Sequence, residues 1–465
     1  MRLPEQVQWI LGVLEQHGFQ GYAVGGCVRD SLLGRVPNDW DVCTDALPGQ
    51  VQQCFAGQRV VETGLAHGTV TLVLEHRPFE ITTYRVDGAY ADHRRPDQVR
   101  FVRSLPLDLA RRDFTINAMA CGLDGLIQDP FCGRQDLEAR LVRCVGEPEQ
   151  RFEEDALRIL RALRFASVLE FALDPATLAA ARARQQLLGA VSAERVFLEL
   201  DKLLCGPGVG PVLKQCGDIL AQIIPEIRPC IGFDQQNPCH DRDVWTHIVD
   251  ALAAAPPDPV LRWALLLHDV AKPECFTLDE NGVGHSYGHQ ERGEQIAHRI
   301  LRRLKVPKKL EQQVCRLIGC HDAVLDPDRA TAHRWLNRLG REQLPRLLQM
   351  KRCDIAAHAM VPRMQQRARE LEVFAGHVQQ LLDENACISL GELAVKGSDL
   401  VKLGVPAGPT VGRALDCLLA QVLMERLPNR RADLLAWVSR RPQTFKIEKS
   451  TASGPCPEAD HREEV

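Results

Sequence analysis

The sequence predicts an α+β fold, a mixed sheet at the front of the chain followed by helices, and three observations predict it. Up to about residue 145, short apolar runs alternate with glycine and proline turns and with isolated helical stretches. From about Glu147 onward apolar residues recur at helical spacing almost throughout, and strand patterns nearly vanish. The 465 residues exceed what one hydrophobic core organises, so several structural units are expected.

Residues 5–17 read as an amphipathic helix that Gly18 ends, before a short apolar strand at Tyr22–Val24. A second strand is expected to carry Asp39-Trp40-Asp41-Val42. Thr69–Glu75 and Phe79–Arg85 alternate as a hairpin across His76-Arg77-Pro78. Helical spacing then marks residues 156–165 and Glu194–Leu204, and Pro225 with the polar segment Asp234–Pro238 separates this block from one that starts near Asp243. The expected domains are therefore 1–145, 146–228, 229–370 and 371–445, with a polar, disordered tail at 446–465.

Composition excludes several classes. Hydrophobic content of 45% and charged content of 25% are soluble-globular values, and a net charge of -4 gives no global sign of a nucleic-acid binder, so any RNA surface must be local. The 17 cysteines are odd in number and include no C-x-x-C pair, which indicates neither a disulfide framework nor a zinc knuckle. The N-terminus lacks an apolar leader, and no apolar run approaches the roughly 20 residues that span a bilayer. A cytoplasmic protein without a membrane partner is expected.

Gly25-Gly26 follows an apolar strand and precedes Val28-Arg29-Asp30, so two residues without Cβ stand before a helix whose free N–H groups can approach a triphosphate. Asp39 and Asp41, at i and i+2 of a strand, project from one face. Two carboxylates about 5 Å apart repel by roughly 3 kcal/mol at an effective dielectric of about 20, a cost that bound Mg²⁺ reverses. An exposed polar strand face is the other reading of Asp-x-Asp alone. With Gly25-Gly26 and Arg29 at this spacing a catalytic metal pair is preferred, and Glu80 on a nearby strand is either a third carboxylate or an ordinary sheet residue.

The segment GGCVRDSLLGRVPNDWDVCTDA resembles the first motif of the class II tRNA nucleotidyltransferase and bacterial poly(A) polymerase superfamily. RRDFTINAM at 111–119 resembles its second motif. The resemblance implies a nucleotidyltransferase-type head using Mg²⁺, in which Arg112, Asp113 and Asn117 face the ribose and separate ribo- from deoxyribonucleotides. DGAYADHRRPDQVRFVR at 87–103 is similar to the family's flexible loop, implicated in switching the pocket from C to A.

Asp155 and Arg158 stand at i and i+3 in EEDALRILRALRF, on one helix face, where an ion pair is one reading. The other is base selection: an Asp acceptor takes the exocyclic amino group of C or A while an Arg donor meets the ring nitrogen acceptor, a pattern that U and G reverse. The segment matches the family's E-D-x-x-R base-reading motif, which implies that role for Asp155 and Arg158. Arg151, Arg161 and Arg164 lie around the same helix, where triphosphate, tRNA or solvent could face them. SAERVFLELDKLL at 192–204 resembles the motif that supports this region, with Ser192 and Glu194 expected to cap its helix.

His247, His268-Asp269, His289, His321 and Asp354 follow in helical patterns, and His268-Asp269 in LLLHDVAKP puts two metal-capable groups beside Lys272 at the end of an apolar helix. The series resembles the HD phosphohydrolase superfamily. That likeness implies His247, His268, Asp269 and Asp354 as ligands of a first metal, His289 and His321 as ligands of a second metal or phosphate contacts, and Lys272 as an anion contact. Mixed imidazole and carboxylate donors suit a divalent transition metal or Mg²⁺; a helical tRNA-binding scaffold is the bland alternative. Arg302-Arg303, Lys305 and Lys308-Lys309 form a local basic patch that either tracks tRNA phosphates or is solvated. GSDLVKLGVPAGPTVGRAL at 397–415 resembles the tRNA-binding tail of HD-containing members.

The resemblance covers nearly the whole chain before the last twenty residues. It implies addition of C, C and A to the tRNA 3′ end from CTP and ATP without a template, and HD hydrolysis of RNA-end or 2′,3′-cyclic phosphates. Poly(A) synthesis and CC-only or A-only addition share the head motifs and stay open. A chain that is mainly an HD-type metal phosphohydrolase is the remaining alternative, against which Asp39 and Asp41 argue.

Overall fold

The computed structural model describes residues 1–62, 64, 68–87 and 99–445. Most of the segment 87–103 and all of the tail 446–465 lie outside the described residues. The α+β architecture is as expected. Helix α1 (Glu5–Gln16) buries Val7, Ile10, Leu11 and Leu14 on one stripe and stops before Gly18, whose φ of +83° only glycine adopts freely. Then come β1 (Gly21–Val24), α2 (Gly26–Leu32), β2 (Asp41–Thr44), α3 (Pro48–Cys54), β3 (Arg59–Val61), β4 (Thr69–Leu74) and β5 (Arg77–Thr83). A short ladder of β6 (Arg85–Asp87) and β7 (Val99–Phe101) precedes α4 (Leu105–Ala110), β8 (Ala120–Cys121) and β9 (Ile127–Gln128). Seven strands form one sheet in the order β3-β4-β5-β2-β1-β8-β9. Only β2 and β5 pair parallel, so the sheet is mixed.

Two strand expectations are corrected. Strand β2 opens at Asp41 rather than Asp39, because its register with β1 ends where Val24 meets Asp41 and the chain turns into α2 at Gly25. The hairpin turn is Glu75-His76, both at positive φ in the manner of a two-residue primed turn, and Arg77-Pro78 belong to β5. Pro78 is tolerated because β2 joins β5 only from Glu80 onward, leaving no ladder bond for its missing N–H on that side. Beneath the sheet Val24, Cys43, Tyr84, Leu109, Ala118, Ala120 and Val145 pack as one buried cluster.

Next follow α5 (Gly133–Glu138), β10 (Leu141–Val142), α6 (Pro148–Glu154), α7 (Leu157–Leu169), β11 (Ala172–Leu173), α8 (Pro175–Arg184), α9 (Ala193–Leu204) and α10 (Val209–Ile223). Strand β10 pairs parallel with β11, and α7 packs on α9. Ser192 occupies the N-cap position of α9 without a side-chain capping bond, and Glu194 instead accepts from Lys305 at 2.6 Å, so the expected cap is not made. The later helices are α11 (Val244–Ala253), α12 (Pro259–Leu267), α13 (His289–Arg303), α14 (Lys308–Ile318), α15 (Arg329–Ala357), α16 (Pro362–Asp383), α17 (Gly397–Lys402), α18 (Pro409–Leu423), α19 (Arg431–Ser439) and α20 (Pro442–Phe445).

The chain divides into two compact units. The first comprises Met1–Gln235, Arg242–Thr277 and His285–Cys315; the second comprises Gln236–Asp241, Leu278–Gly284 and the residues from Arg316 onward. In the second, α15 packs on α16 and breaks at Gly340, whose φ is +83°. Its core gathers Val395, Leu400, Ala414, Leu418 and Leu434. Among the described residues no helix is long and apolar enough to cross a membrane.

Candidate functional site

Strand pairing builds the first cluster. Because β2 and β5 run parallel with Asp41 opposite Glu80, those two side chains leave the same face of the sheet, and Asp39 sits just before β2. Burial, with the charges of Asp39 and Glu80 added and that of Arg112 opposing, raises the Asp41 carboxyl to about 6. Three carboxylates are thus gathered with one partly compensating cation. Their oxygens fit a hard divalent ion such as Mg²⁺, whose charge relieves the repulsion.

Beside them the chain turns at Gly25, at φ +83° and ψ -129°, a conformation essentially confined to glycine. A Cβ there would meet Nη1 of Arg112 at 3.1 Å, so the glycine also lets that guanidinium lie against the backbone. Gly26 opens α2, whose first N–H groups have no helical acceptor. Arg112 itself is steadied by Asp108, a fully buried carboxylate 3.2 Å from its Nη2 that also accepts from Nε and Nη2 of Arg111 at 2.9 and 2.8 Å. Asp108 went unnoticed in the sequence, although its i+3 and i+4 spacing to two arginines just past the end of α4 was the available signal.

A chain of charge-assisted bonds continues from this wall. Arg29 donates through Nη1 to Asn117 Oδ1 at 2.6 Å, and Asn117 Nδ2 donates to Asp113 Oδ1 at 3.1 Å. Arg161 closes on Asp113 Oδ2 through Nε and Nη2 at 2.8 and 2.5 Å. Burial alone would raise the Asp113 carboxyl, but Arg161 and the Asn117 amide outweigh it and hold it down at about 2. Arg164 pairs with Glu199 on α9 at 3.1 Å, and Arg161 reaches the same glutamate at 3.8 Å. The guanidinium groups of Arg164, Arg29 and Arg161 lie 4.2, 5.0 and 5.5 Å from the centroid of the Phe165 ring, which they surround. Arg161 and Arg164 are therefore committed to carboxylates. Glu199 was also missed; a glutamate on the apolar stripe of Val196, Leu200 and Leu203 was the signal that α9 buries a partnered charge.

The structure corrects the setting of Asp155 and Arg158. They do not share one helix face, because the backbone extends at Asp155 between α6 and α7 (φ -142°, ψ 102°). Asp155 Oδ1 accepts from the Leu157 N–H at 3.1 Å, and its Oδ2 from Arg195 Nη2 at 2.7 Å. Arg158, in the first turn of α7, reaches back, pairing with Glu154 at 2.5 Å and donating to the carbonyls of Arg151 at 3.2 Å and Arg111 at 2.9 Å. The last bond ties α7 to the segment that carries Arg112 and Asp113.

In the same unit a second cluster centres on Asp269, itself buried. Its Oδ2 lies 3.2 Å from His268 Nε2, 3.4 Å from His247 Nε2 and 2.7 Å from Lys272 Nζ, and its Oδ1 lies 3.5 Å from His289 Nε2. His268 and His289 each donate from Nδ1 to a backbone carbonyl, Leu265 at 2.8 Å and Ser286 at 2.7 Å. A carbonyl only accepts, so both rings carry their proton on Nδ1 and turn a lone pair outward at Nε2, the tautomer a metal needs. Donor atoms each about 2.1 Å from one ion at near-right angles stand about 3 Å apart, which the His268, His247 and Asp269 spacings match. Lys272 bonds Asp269 and Gln235 Oε1, so its observed partners belong to the protein itself. His321 and Asp354 belong to the second unit, where His321 donates from Nδ1 to the Ile318 carbonyl at 2.7 Å.

Much of the expected basic patch is paired. Arg303 forks onto Glu226 at 2.7 Å through both terminal nitrogens, Lys305 reaches Glu194, and Arg302 bonds Glu311 at 2.8 Å. These contacts fasten α13 to neighbouring segments rather than leaving the cations to phosphates.

Comparison with known proteins agrees with this geometry. A family model described as poly A polymerase head domain matches residues 21–143; one described as probable RNA and SrmB-binding site of polymerase A matches 170–230; and one described as tRNA nucleotidyltransferase domain 2, putative, matches 291–438. The chain is 34% identical over 457 residues to the CCA-adding enzyme of Geobacillus kaustophilus (strain HTA426), covering 95% of this chain and 98% of the relative. It is 36% identical over 445 residues to that of Geobacillus stearothermophilus, covering 94% and 96%. Its structure is similar to that of the Bacillus stearothermophilus CCA-adding enzyme in complex with CTP, with a TM-score of 0.70 and 32% identity over 96% of this chain and 99% of that one.

Proposed function

The chain belongs to the CCA-adding enzymes, template-independent nucleotidyltransferases that extend the tRNA 3′ end with CTP and ATP, and from that premise we propose how its residues share the work. Asp39 and Asp41 hold Mg²⁺, with Glu80 as a third carboxylate. When bound, the ion supplies the positive charge that lowers the pKa of the attacking 3′-hydroxyl and stabilises the leaving pyrophosphate. The N–H groups after Gly25-Gly26 and the guanidinium groups of Arg29 and Arg112 receive the triphosphate. Asn117 and Asp113 face the ribose, held in place by Arg161; Arg164 and Glu199 keep Phe165 and that wall rigid. Asp155 accepts the amino group of C or A, and Arg158 exchanges its carbonyl partners for the ring nitrogen of the base. A cytoplasmic location belongs to the same reading, supported by the sixteen described cysteines all being free thiols.

The observation that carries this is the parallel pairing of Asp41 with Glu80 beside Asp39. Asp39→Ala is expected to abolish extension of tRNA transcripts ending before C, after C and after CC, as read by product size with CTP and ATP. A folded Asp39→Ala protein that still completes CCA would remove the metal role.

A second activity is favoured by the donors around Asp269. We assign His247, His268 and Asp269, with Asp354 by family resemblance, to a divalent metal, Mg²⁺ or a transition ion, and His289 and His321 to a second ion or to phosphate. A bound ion there supplies an activated water for hydrolysis of RNA-end or 2′,3′-cyclic phosphates.

A further inference from the structure

Asp108, in α4, is a carboxylate with no solvent exposure at all. Stripping such a group of water is costly, so its partners must account for its place. Its Oδ1 accepts from Nε and Nη2 of Arg111 at 2.9 and 2.8 Å, and from the Arg85 N–H, where β6 begins, at 3.3 Å. Its Oδ2 accepts from Arg112 Nη2 at 3.2 Å. One negative charge therefore balances two guanidinium groups and leaves a unit of positive charge over. Burial opposes ionisation of Asp108, but Arg112 and Arg111 outweigh it and hold the carboxyl below its ordinary value, so the charge is in place at neutral pH.

The backbone under these arginines is fixed from another side. The Ala110 carbonyl accepts from Arg151 Nη1 at 3.1 Å and the Arg111 carbonyl from Arg158 Nη2 at 2.9 Å. What is left to set is the Arg112 side chain. Among the described residues Asp108 is the one acceptor it reaches, and its Nε is buried without a partner. The Asp41 carboxylate attracts the same guanidinium through space without a hydrogen bond among the described residues. Two anions thus compete for one cation. An Arg112 that yielded to Asp41 would form an ion pair with a carboxylate assigned to Mg²⁺. It would also leave the Gly25 turn, where its Nη1 lies 3.1 Å from the place a Cβ would occupy.

We propose that Asp108 is a positioning residue for nucleotidyl transfer: it holds Arg112 at the Gly25 turn and away from Asp41, so that the guanidinium is available to the triphosphate of CTP or ATP. The inference rests on the reading of Arg112 as a triphosphate contact, and it adds what decides where that contact stands.

The test uses the full chain in a double-mutant cycle. Binding of CTP and ATP is measured by equilibrium dialysis with Mg²⁺ and without tRNA, for the wild type, Asp108→Asn, Arg112→Met and the double variant, with thermal melts as the check on folding. Asp108→Asn keeps the shape and gives up the charge; it is expected to weaken both nucleotides about tenfold, and in extension assays to raise KM more than it lowers kcat. In the Arg112→Met background the same change is expected to leave nucleotide binding where Arg112→Met alone puts it. Asp108→Glu restores the charge on a longer arm and is expected to recover part of the loss. Should Asp108→Asn fail to fold, Asp108→Glu goes through the same cycle, and a loss that vanishes without Arg112 supports the proposal. Losses that add in the double variant, or nucleotide binding unchanged in a folded Asp108 variant, overturn it. An Arg112→Met protein that binds both nucleotides as the wild type does removes the triphosphate reading, and the positioning role with it.

Discussion

Asp113 is a buried carboxylate whose charge is held by Arg161 and Asn117, and its acidity makes a statement about stability. Its carboxyl is kept at about 2 in the fold against an ordinary value near 4, so its ionised form stabilises the protein by about 2 kcal/mol at neutral pH. The sign follows from the depressed value: the contribution is fully present above pH 4 and disappears as pH falls through 2. Asp113→Asn is therefore expected to lower urea stability at pH 7 by at least about 2 kcal/mol, and the gap from wild type is expected to narrow as unfolding is repeated from pH 4 down to pH 2. A gap that stays constant over that range would show that Arg161 draws no stability from the charge. Gly25 gives a second prediction at this scale. Alanine there is strained by the backbone, at about 1–3 kcal/mol, and its methyl displaces Arg112; the KM for CTP and ATP is expected to rise together, with a smaller fall in melting temperature.

At the scale of elements, the break between α6 and α7 matters most. A continuous helix would have fixed Asp155 and Arg158 to one face, whereas the extended residue lets Asp155 be oriented by Arg195 from α9 while Arg158 turns back to Glu154. Arg158→Ala is expected to relax selection against UTP in single-nucleotide incorporation more than it weakens tRNA binding. Unchanged discrimination would take base reading away from this residue. The same break shows what the sequence conceals. The sheet head, the helical remainder and the glycine turn were legible because periodicity and turn chemistry are local. The end of α6 at Glu154 was not, since EEDALRILRALRF carries unbroken helical spacing and neither glycine nor proline. Likewise the pairing of Arg303 and Lys305 with Glu226 and Glu194 depends on residues 77 and 111 positions away, so a basic patch in sequence became a set of ties in space.

For the molecule as a whole, the two chemically distinct donor sets make the two proposed activities separable by metal. The head offers only carboxylate oxygens, and the Asp269 cluster offers imidazole nitrogens as well. Chelation of transition metals in the presence of excess Mg²⁺ is expected to leave CCA addition intact and to stop phosphate hydrolysis. His268→Ala is expected to reproduce that pattern, and a variant that loses both activities while staying folded would overturn the division.

Asp113, near the front of the chain, is closed off by Arg161, and Arg161 in turn is braced with Arg164 by Glu199. During translation the ribosome therefore releases every strand of the seven-stranded sheet before any of these partners. A nascent polypeptide that has emerged only as far as Gln128 carries Asp39, Asp41 and Glu80 but leaves Asp113 without Arg161. On the proposed ribose role of Asp113, competence to discriminate the incoming sugar arrives late in synthesis, once Glu199 has cleared the exit tunnel.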